Sequence, residues 1–294
     1  MSDTALTDDQ INNFVMRGMT IPVQPQVMVD LQMEQVMPDP DLNEIARLIS
    51  RDVSISGRVL KAVNSPFFGL RSTITSIHKA VTLLGYNSVI NLVNAIAISN
   101  EMLEQDDLSE EDIKKLNKFW DTAQDVALVA ATIARQIGFQ SPDEAYTLGL
   151  IHNAGIPMQM NRFDNFSDVM IESYSGNEKR IVDAENKHFN TNHAVLGFYI
   201  AKSWKLSGPI CEAIQQHHNV VEIFGQAGHQ GSESMNLIAI LKIAEHIVGL
   251  HNILGKNEVD IEWNETRDII FQYLSINQDD YEEIKNICLE MGIG

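Results

Sequence analysis

Only two of the 294 residues are cysteine, Cys211 and Cys288, too few for the disulfide framework on which small secreted folds depend. No apolar run approaches the ~20 residues needed to cross a bilayer. The opening Met1-Ser2-Asp3-Thr4-Ala5-Leu6-Thr7-Asp8 lacks the basic start and apolar core of a signal peptide. These absences predict a cytoplasmic chain with no membrane attachment. Positive charge is equally scarce: 21 Lys and Arg stand against 40 Asp and Glu, a net charge of −19. Such a surface repels phosphates and anionic headgroups, so neither nucleic acid nor membrane is expected as a partner. Segments that strictly alternate apolar and polar residues are missing, which argues against a β-sheet. Neither Gly-x-Ser-x-Gly nor Gly-x-x-x-x-Gly-Lys occurs, and Cys211 precedes Glu212 on an amphipathic pattern. Nucleophilic and phosphate-cradling enzymes are thereby set aside.

What remains is helix-forming sequence, 44% hydrophobic and long enough to bury a large core. Apolar residues recur at helical spacing over 25–37, 41–50, 54–64, 75–84, 86–103, 143–152, 164–175, 178–187, 191–205, 208–218, 233–251, 264–274 and 278–291. Thr7-Asp8-Asp9-Gln10 has capping-box form ahead of Ile11, and Ser109-Glu110-Glu111-Asp112 opens a further long helix that Gly138 ends. Breaks fall at Pro38-Asp39-Pro40, Ser65-Pro66, Ser141-Pro142 and the glycine-rich 225–231 segment. The predicted class is all-α and multi-helical, with no repeat of solenoid period. Its expected organisation is an extension over 1–20, an N-terminal helical lobe over 21–105, a second lobe over 106–251, and C-terminal helices over 252–294 packed on that second lobe. Residues 21–100 carry six basic and six acidic side chains, so the acidic surplus lies elsewhere. Its densest run, from Glu101 through Asp112, reads as a solvated linker or helix start.

Several polar residues sit on apolar faces. Thr122 shares a face with Val126, Val129, Ala130 and Ile133; His193 shares one with Leu196, Ile200 and Trp204; His217 and His218 extend the face of Ile210, Ala213 and Ile214. Glu245 lies in Leu237–Val248, apolar on nearly every side, and a buried carboxylate requires a partner, for which a histidine is the expected one. Taken singly, each histidine reads as a hydrogen-bonded core residue. Asn153 reads as a cap or turn residue at a helix end, and the following Gly155 and Pro157 agree with a break there.

Taken in order, the same residues form a succession: Phe119-Trp120-Asp121-Thr122-Ala123, Leu148-Gly149-Leu150-Ile151-His152-Asn153-Ala154-Gly155, Asn192-His193-Ala194-Val195-Leu196-Gly197, Ala213-Ile214-Gln215-Gln216-His217-His218 and Ile243-Ala244-Glu245. It resembles the HD superfamily of metal phosphohydrolases. The resemblance implies metal-site positions at Thr122, His152, Asn153, His193, His217 and Glu245. His152, His193 and His217 keep the family's residue type. Thr122 stands where the first metal histidine is expected, Asn153 replaces the aspartate of the His-Asp pair, and Glu245 replaces the closing aspartate. A hydroxyl and a neutral amide oxygen are much weaker ligands for a divalent cation than an imidazole and a carboxylate.

Upstream lie Ile21-Pro22-Val23-Gln24-Pro25, Asp52-Val53-Ser54-Ile55-Ser56-Gly57-Arg58, the loop Asn64-Ser65-Pro66-Phe67-Phe68-Gly69, and Ile74 through Gly85 ending in Leu83-Leu84-Gly85. Over roughly residues 21 to 250 this order of motifs resembles the HDOD domain, the HD-related output domain of bacterial signalling proteins. The resemblance implies a non-catalytic output or scaffold module acting through protein–protein contacts, with no catalytic residue and no cofactor. The alternative it leaves open is an HD-type phosphohydrolase with one divalent transition metal at His152, His193, His217 and Glu245. Without a bridging carboxylate a second ion is poorly neutralised. The expected partner is a signalling protein whose identity the sequence does not name, and the oligomeric state is equally unspecified. Adjacent aromatics on the 64–69 turn cannot easily both face one core, which makes Asn64, Ser65, Pro66, Phe67, Phe68 and Gly69 a candidate interaction loop.

Overall fold

A computed structural model describes residues 21–65, 68, 70, 72–103, 109–225 and 231–293. The capping-box sequence at Thr7–Gln10, and Pro66, Phe67 and Gly69 of the candidate loop, lie outside the described residues. Among those described the chain is all-α, without a strand, and no helix is long and apolar enough to cross a membrane. Packing divides the chain into two compact units, Pro22–Lys118 and Phe119 onward, with the division inside one long helix.

The first unit comprises α1 (Gln26–Gln35), α2 (Leu42–Arg51), α3 (Val53–Val63), α4 (Ile77–Leu84) and α5 (Tyr86–Leu103). Helix α2 starts at Asp41, whose side chain accepts from the Asn43 amide at 2.8 Å, and it buries Ile45, Ala46, Leu48 and Ile49 on one face. Ile45 and Ile49 are completely buried, each worth roughly 1.5–3 kcal/mol. An aspartate at either position would place an unpaired charge there. Asp52 ends α2 and caps α3, accepting from the Ile55 amide at 2.9 Å. Helix α3 is pinned to α5 by Arg58 Nη1 to Ser99 Oγ at 2.9 Å and by Asn100 Nδ2 to Ser54 Oγ at 3.0 Å. The loop after α3 is closed by Asn64, whose amide nitrogen donates to Ile74 O at 2.8 Å while its oxygen accepts from Ile74 N at 2.7 Å. Ser65 and Phe68 are half-buried.

Helix α6 (Glu110–Gln136) is capped by Ser109, whose hydroxyl accepts from the Asp112 amide, and it ends before Gly138 at φ 73°. The second unit continues with α7 (Pro142–Ile151), α8 (Gly155–Arg162), α9 (Phe166–Ser173), α10 (Ile181–Phe189), α11 (His193–Ser203), α12 (Gly208–Gln216), α13 (Val220–Gly225), α14 (Glu233–Val248), α15 (Leu250–Gly255), α16 (Ile261–Leu274) and α17 (Gln278–Glu290). Helix α14 packs on α7, α12 and α16, and α11 packs on α8 and α12.

The break expected at Asn153 is present, since residues 152–154 turn between α7 and α8, and Gly155 and Pro157 begin α8. Pro157 stands in the first turn, where an amide has no intrahelical acceptor and its loss costs nothing. Gly155 is there for close approach, since a Cβ would run into the carbonyl oxygen of His193. Two local expectations are corrected. The apolar stretch 233–251 is two helices, because Gly249 adopts φ 79° and turns the chain between α14 and α15. The short α13, absent from the periodicity reading, follows the two adjacent histidines.

Candidate metal centre

Four histidines of the second unit are oriented by the partners each ring meets through Nδ1. His152 follows α7 and its Nδ1 lies 2.9 Å from Gly149 O; His217 follows α12 and its Nδ1 lies 2.7 Å from Ile214 O. A carbonyl oxygen only accepts, so in both rings Nδ1 carries the proton. His193 opens α11, where Asn192 caps the helix by accepting from the Val195 amide at 2.9 Å. Its Nδ1 lies 2.6 Å from Glu185 Oε1, and its backbone amide donates to Glu185 Oε2 at 2.7 Å. Glu185, on α10 and completely buried, also accepts from Gln159 Nε2 at 2.7 Å. His218 places Nδ1 2.7 Å from Glu262 Oε1 at the start of α16.

With Nδ1 committed, three Nε2 atoms converge. His218 Nε2 is 3.1 Å and His217 Nε2 is 3.4 Å from His193 Nε2, and all three lie within 4.8 Å of one another. Burial, reinforced by neighbouring histidines and Lys242, holds His217 and His218 well below the ordinary histidine range, so both rings are neutral. One proton on His193 Nε2 would satisfy only one of the two nitrogens facing it. A divalent ion would satisfy all three, and backbone or carboxylate partners on the far ring nitrogens are the usual support of metal-bound imidazoles. The residues present therefore fit a single ion held by His193, His217 and His218.

A second part of the pocket is ionic. Lys242 on α14 is buried and its ammonium donates to Glu245 Oε2 at 2.6 Å and to Glu262 Oε2 at 2.9 Å. Burial works against its charge, but the two carboxylates outweigh burial and hold it above the ordinary lysine range. Glu245 is held well below the ordinary carboxylate range: burial opposes this, and Lys242 and His152 overcome it. Glu262 is pushed up to about 7 by burial and by Glu245, with Lys242 opposing. His152 Nε2 stands 3.2 Å from Glu245 Oε1, an ion-pair distance, but off hydrogen-bond direction, so that nitrogen is left without a hydrogen-bond partner.

Of the positions singled out in the sequence, His193 and His217 meet directly. His152 reaches the group edge-on to His217, its ring centroid 5.6 Å away, and Glu245 joins through His152 and Lys242. Asn153 is buried with Oδ1 unpartnered, and Thr122 is half-buried on α6. Glu185, Lys242 and Glu262 stand outside the sequence motifs, and His218 enters them only as a neighbour of His217. Two signals for them exist: Lys242 precedes Glu245 by three residues on an otherwise apolar helix, and Glu185 falls on the apolar face of Ile181, Val182 and Phe189. Beside the cluster lies a cleft of about 220 Å³, lined among others by Tyr174, Arg180, His218, Asn219, Glu262 and Thr266.

Residues 21–220 match the family profile of the HDOD domain. Among solved structures, an HDOD domain protein of unknown function from Geobacter sulfurreducens is 23% identical, with 96% of this chain and 97% of that one covered and a TM-score of 0.62. A candidate phosphohydrolase from Shewanella amazonensis SB2B is 20% identical with 96% of each chain covered and a TM-score of 0.65. A candidate signal transduction protein from Marinobacter aquaeolei VT8 is 15% identical over 95% of this chain and 61% of that one, with a TM-score of 0.54. At these identities the likeness is one of fold. An uncharacterized protein of Treponema pallidum (strain Nichols) is 26% identical over 201 residues, 68% of this chain, which spans only 38% of that relative's length.

Proposed function

The chain belongs to the HDOD domain family, and on that footing we propose that it is a signal-transduction output module whose pocket holds at most one divalent transition ion and does not hydrolyse phosphoesters. The observation that carries this reading is Lys242. Its ammonium, 2.6 Å from Glu245 and 2.9 Å from Glu262, already neutralises the carboxylates that would otherwise attract a second cation. Asn153 adds a neutral amide where a bridging anion is needed to hold two ions together. Such a site lacks the paired clamp on the attacking and leaving oxygens. An ion held by the three imidazoles would serve as a structural element of the fold.

Output then rests on protein contacts made by a signalling partner. Supporting this, Met33, Val36 and Met37 of the first unit are 57%, 83% and 54% exposed, close together at and just beyond the end of α1. Asn64, Ser65 and Phe68 of the candidate interaction loop belong to the same unit. A second reading, a mononuclear phosphohydrolase, is favoured by one feature: the cleft is lined by His218, so a phosphoester bound there would lie beside an ion that His193, His217 and His218 would hold, and such an ion would supply an activated water. A chromogenic phosphodiester assayed with manganese, magnesium and zinc separates the two. Turnover no greater than that of the metal in buffer is expected. Metal-dependent turnover that His217→Ala abolishes would make the chain an enzyme.

A further inference from the structure

Away from the three-histidine cluster, two more imidazoles are aimed at one carboxylate oxygen. His246 lies in the last turn of α14 and His251 in the first turn of α15, brought together by the reversal at Gly249. Asp260 caps α16, its Oδ1 accepting from the Trp263 amide at 3.0 Å, which fixes the side chain and leaves Oδ2 toward the histidines. His246 Nδ1 is 2.8 Å and His251 Nδ1 is 3.3 Å from that oxygen. Only the first contact is a hydrogen bond; His251 Nδ1 is a buried nitrogen without a hydrogen-bond partner. The rings are held in place, His246 stacking on Trp263 with centroids 4.6 Å apart and planes 13° from parallel.

We propose that His246, His251 and Asp260 form a second metal site, which takes one divalent transition ion of the zinc class and ties the α14–α15 turn to the start of α16. Bonds of about 2.0–2.2 Å to nitrogen and oxygen put the edge of a tetrahedral zinc site near 3.3 Å. The 3.3 Å edge from His251 matches that value, the hydrogen-bonded 2.8 Å edge from His246 is shorter, and all three donor atoms lie within 4.8 Å of one another. Two imidazoles and a carboxylate select zinc, copper or nickel over magnesium and calcium, whose preference is for oxygen. The side chains are 14–24% exposed, enough for a free ion to enter and for water to complete the coordination. The competing arrangement is a single His246–Asp260 hydrogen bond with His251 packed as a ring.

The test is zinc binding by the full chain, measured by equilibrium dialysis with elemental analysis. His251→Gln and Asp260→Asn are each expected to lose one zinc equivalent, or at least tenfold in affinity for it, whatever the other cluster binds. Zinc should raise the melting temperature of the wild type more than that of either variant. His217→Ala should keep this equivalent, so failure of the first cluster and failure of this site are distinguishable. Should a variant not fold, long-range proton–nitrogen NMR of the wild type decides, since zinc must move the Nδ1 resonances of His246 and His251. Unmoved resonances, or folded variants with wild-type stoichiometry and affinity, overturn the proposal.

Discussion

Replacing Lys242 by methionine removes an ammonium while keeping most of the side chain's bulk. In the native pocket that group is 3% exposed and touches two carboxylates, at 2.6 and 2.9 Å. Removing one partner of a buried ion pair costs about 3–5 kcal/mol, because the charge left behind is uncompensated. For a unit of this size each kcal/mol moves the midpoint by about 2–4 °C, so a loss on the order of 10 °C is expected. The loss depends on pH. Glu262 titrates at about 7 in the fold against 4.5 unperturbed, so its contribution falls as pH rises from 4.5 through 7. Without Lys242 its folded value moves higher still, so the variant suffers more at pH 8 than at pH 6. Tryptophan fluorescence is the assay of choice, because Trp120, Trp204 and Trp263 all lie in the second unit. Adding Glu262→Gln should recover part of the loss. A Lys242→Met protein that melts within about 2 °C of wild type at pH 8, on the same scale, would refute the buried ammonium as the pocket's internal cation.

Other perturbations read different parts of the account. Thr122→His with Asn153→Asp, which restores the two family ligand types, should raise divalent-metal affinity in calorimetry, and more so when Lys242→Met is added; unchanged binding in the folded triple variant would remove these positions from the pocket. Glu144 is pushed up to about 7 by burial and by facing Glu233, so its carboxylate weakens the fold as pH rises from 4.5 through 7. Glu144→Gln should therefore raise the melting temperature at pH 8 and leave it nearly unchanged at pH 4.5, a gain tempered by the group's partial exposure. Asn64→Ala removes both amide contacts to Ile74, and faster hydrogen exchange at Ile74 without global destabilisation is expected.

The helical class was legible because apolar spacing reports burial directly, and the helix start at Ser109 and the helix end at Gly138 obey local chemistry. Less legible were the features set by three-dimensional approach. Pro157 looks like a breaker until its place in a first turn is known, and Gly155 looks like a turn residue although it serves a backbone contact with His193. At the pocket, the histidines were visible through motif order, since order survives when spacing and identity drift. Lys242 and Glu262 were not, because a charged residue on an apolar helix is interpretable only with its partner, and these two lie 20 residues apart on different helices. Glu185 was hidden for the same reason: its role is to orient His193 from another helix.

In the proposed arrangement one ion is held by three histidines, with Lys242 occupying the cationic place beside it. This arrangement is tested most directly by crystals soaked in zinc and measured at the zinc absorption edge. A single anomalous peak is expected in this pocket, about 2.0–2.1 Å from Nε2 of His193, His217 and His218, with the Lys242 contacts to Glu245 and Glu262 intact. Two peaks about 3.5–4 Å apart, with Lys242 displaced and Glu245 and Asn153 as ligands, would be the arrangement of a two-metal hydrolase and would contradict it.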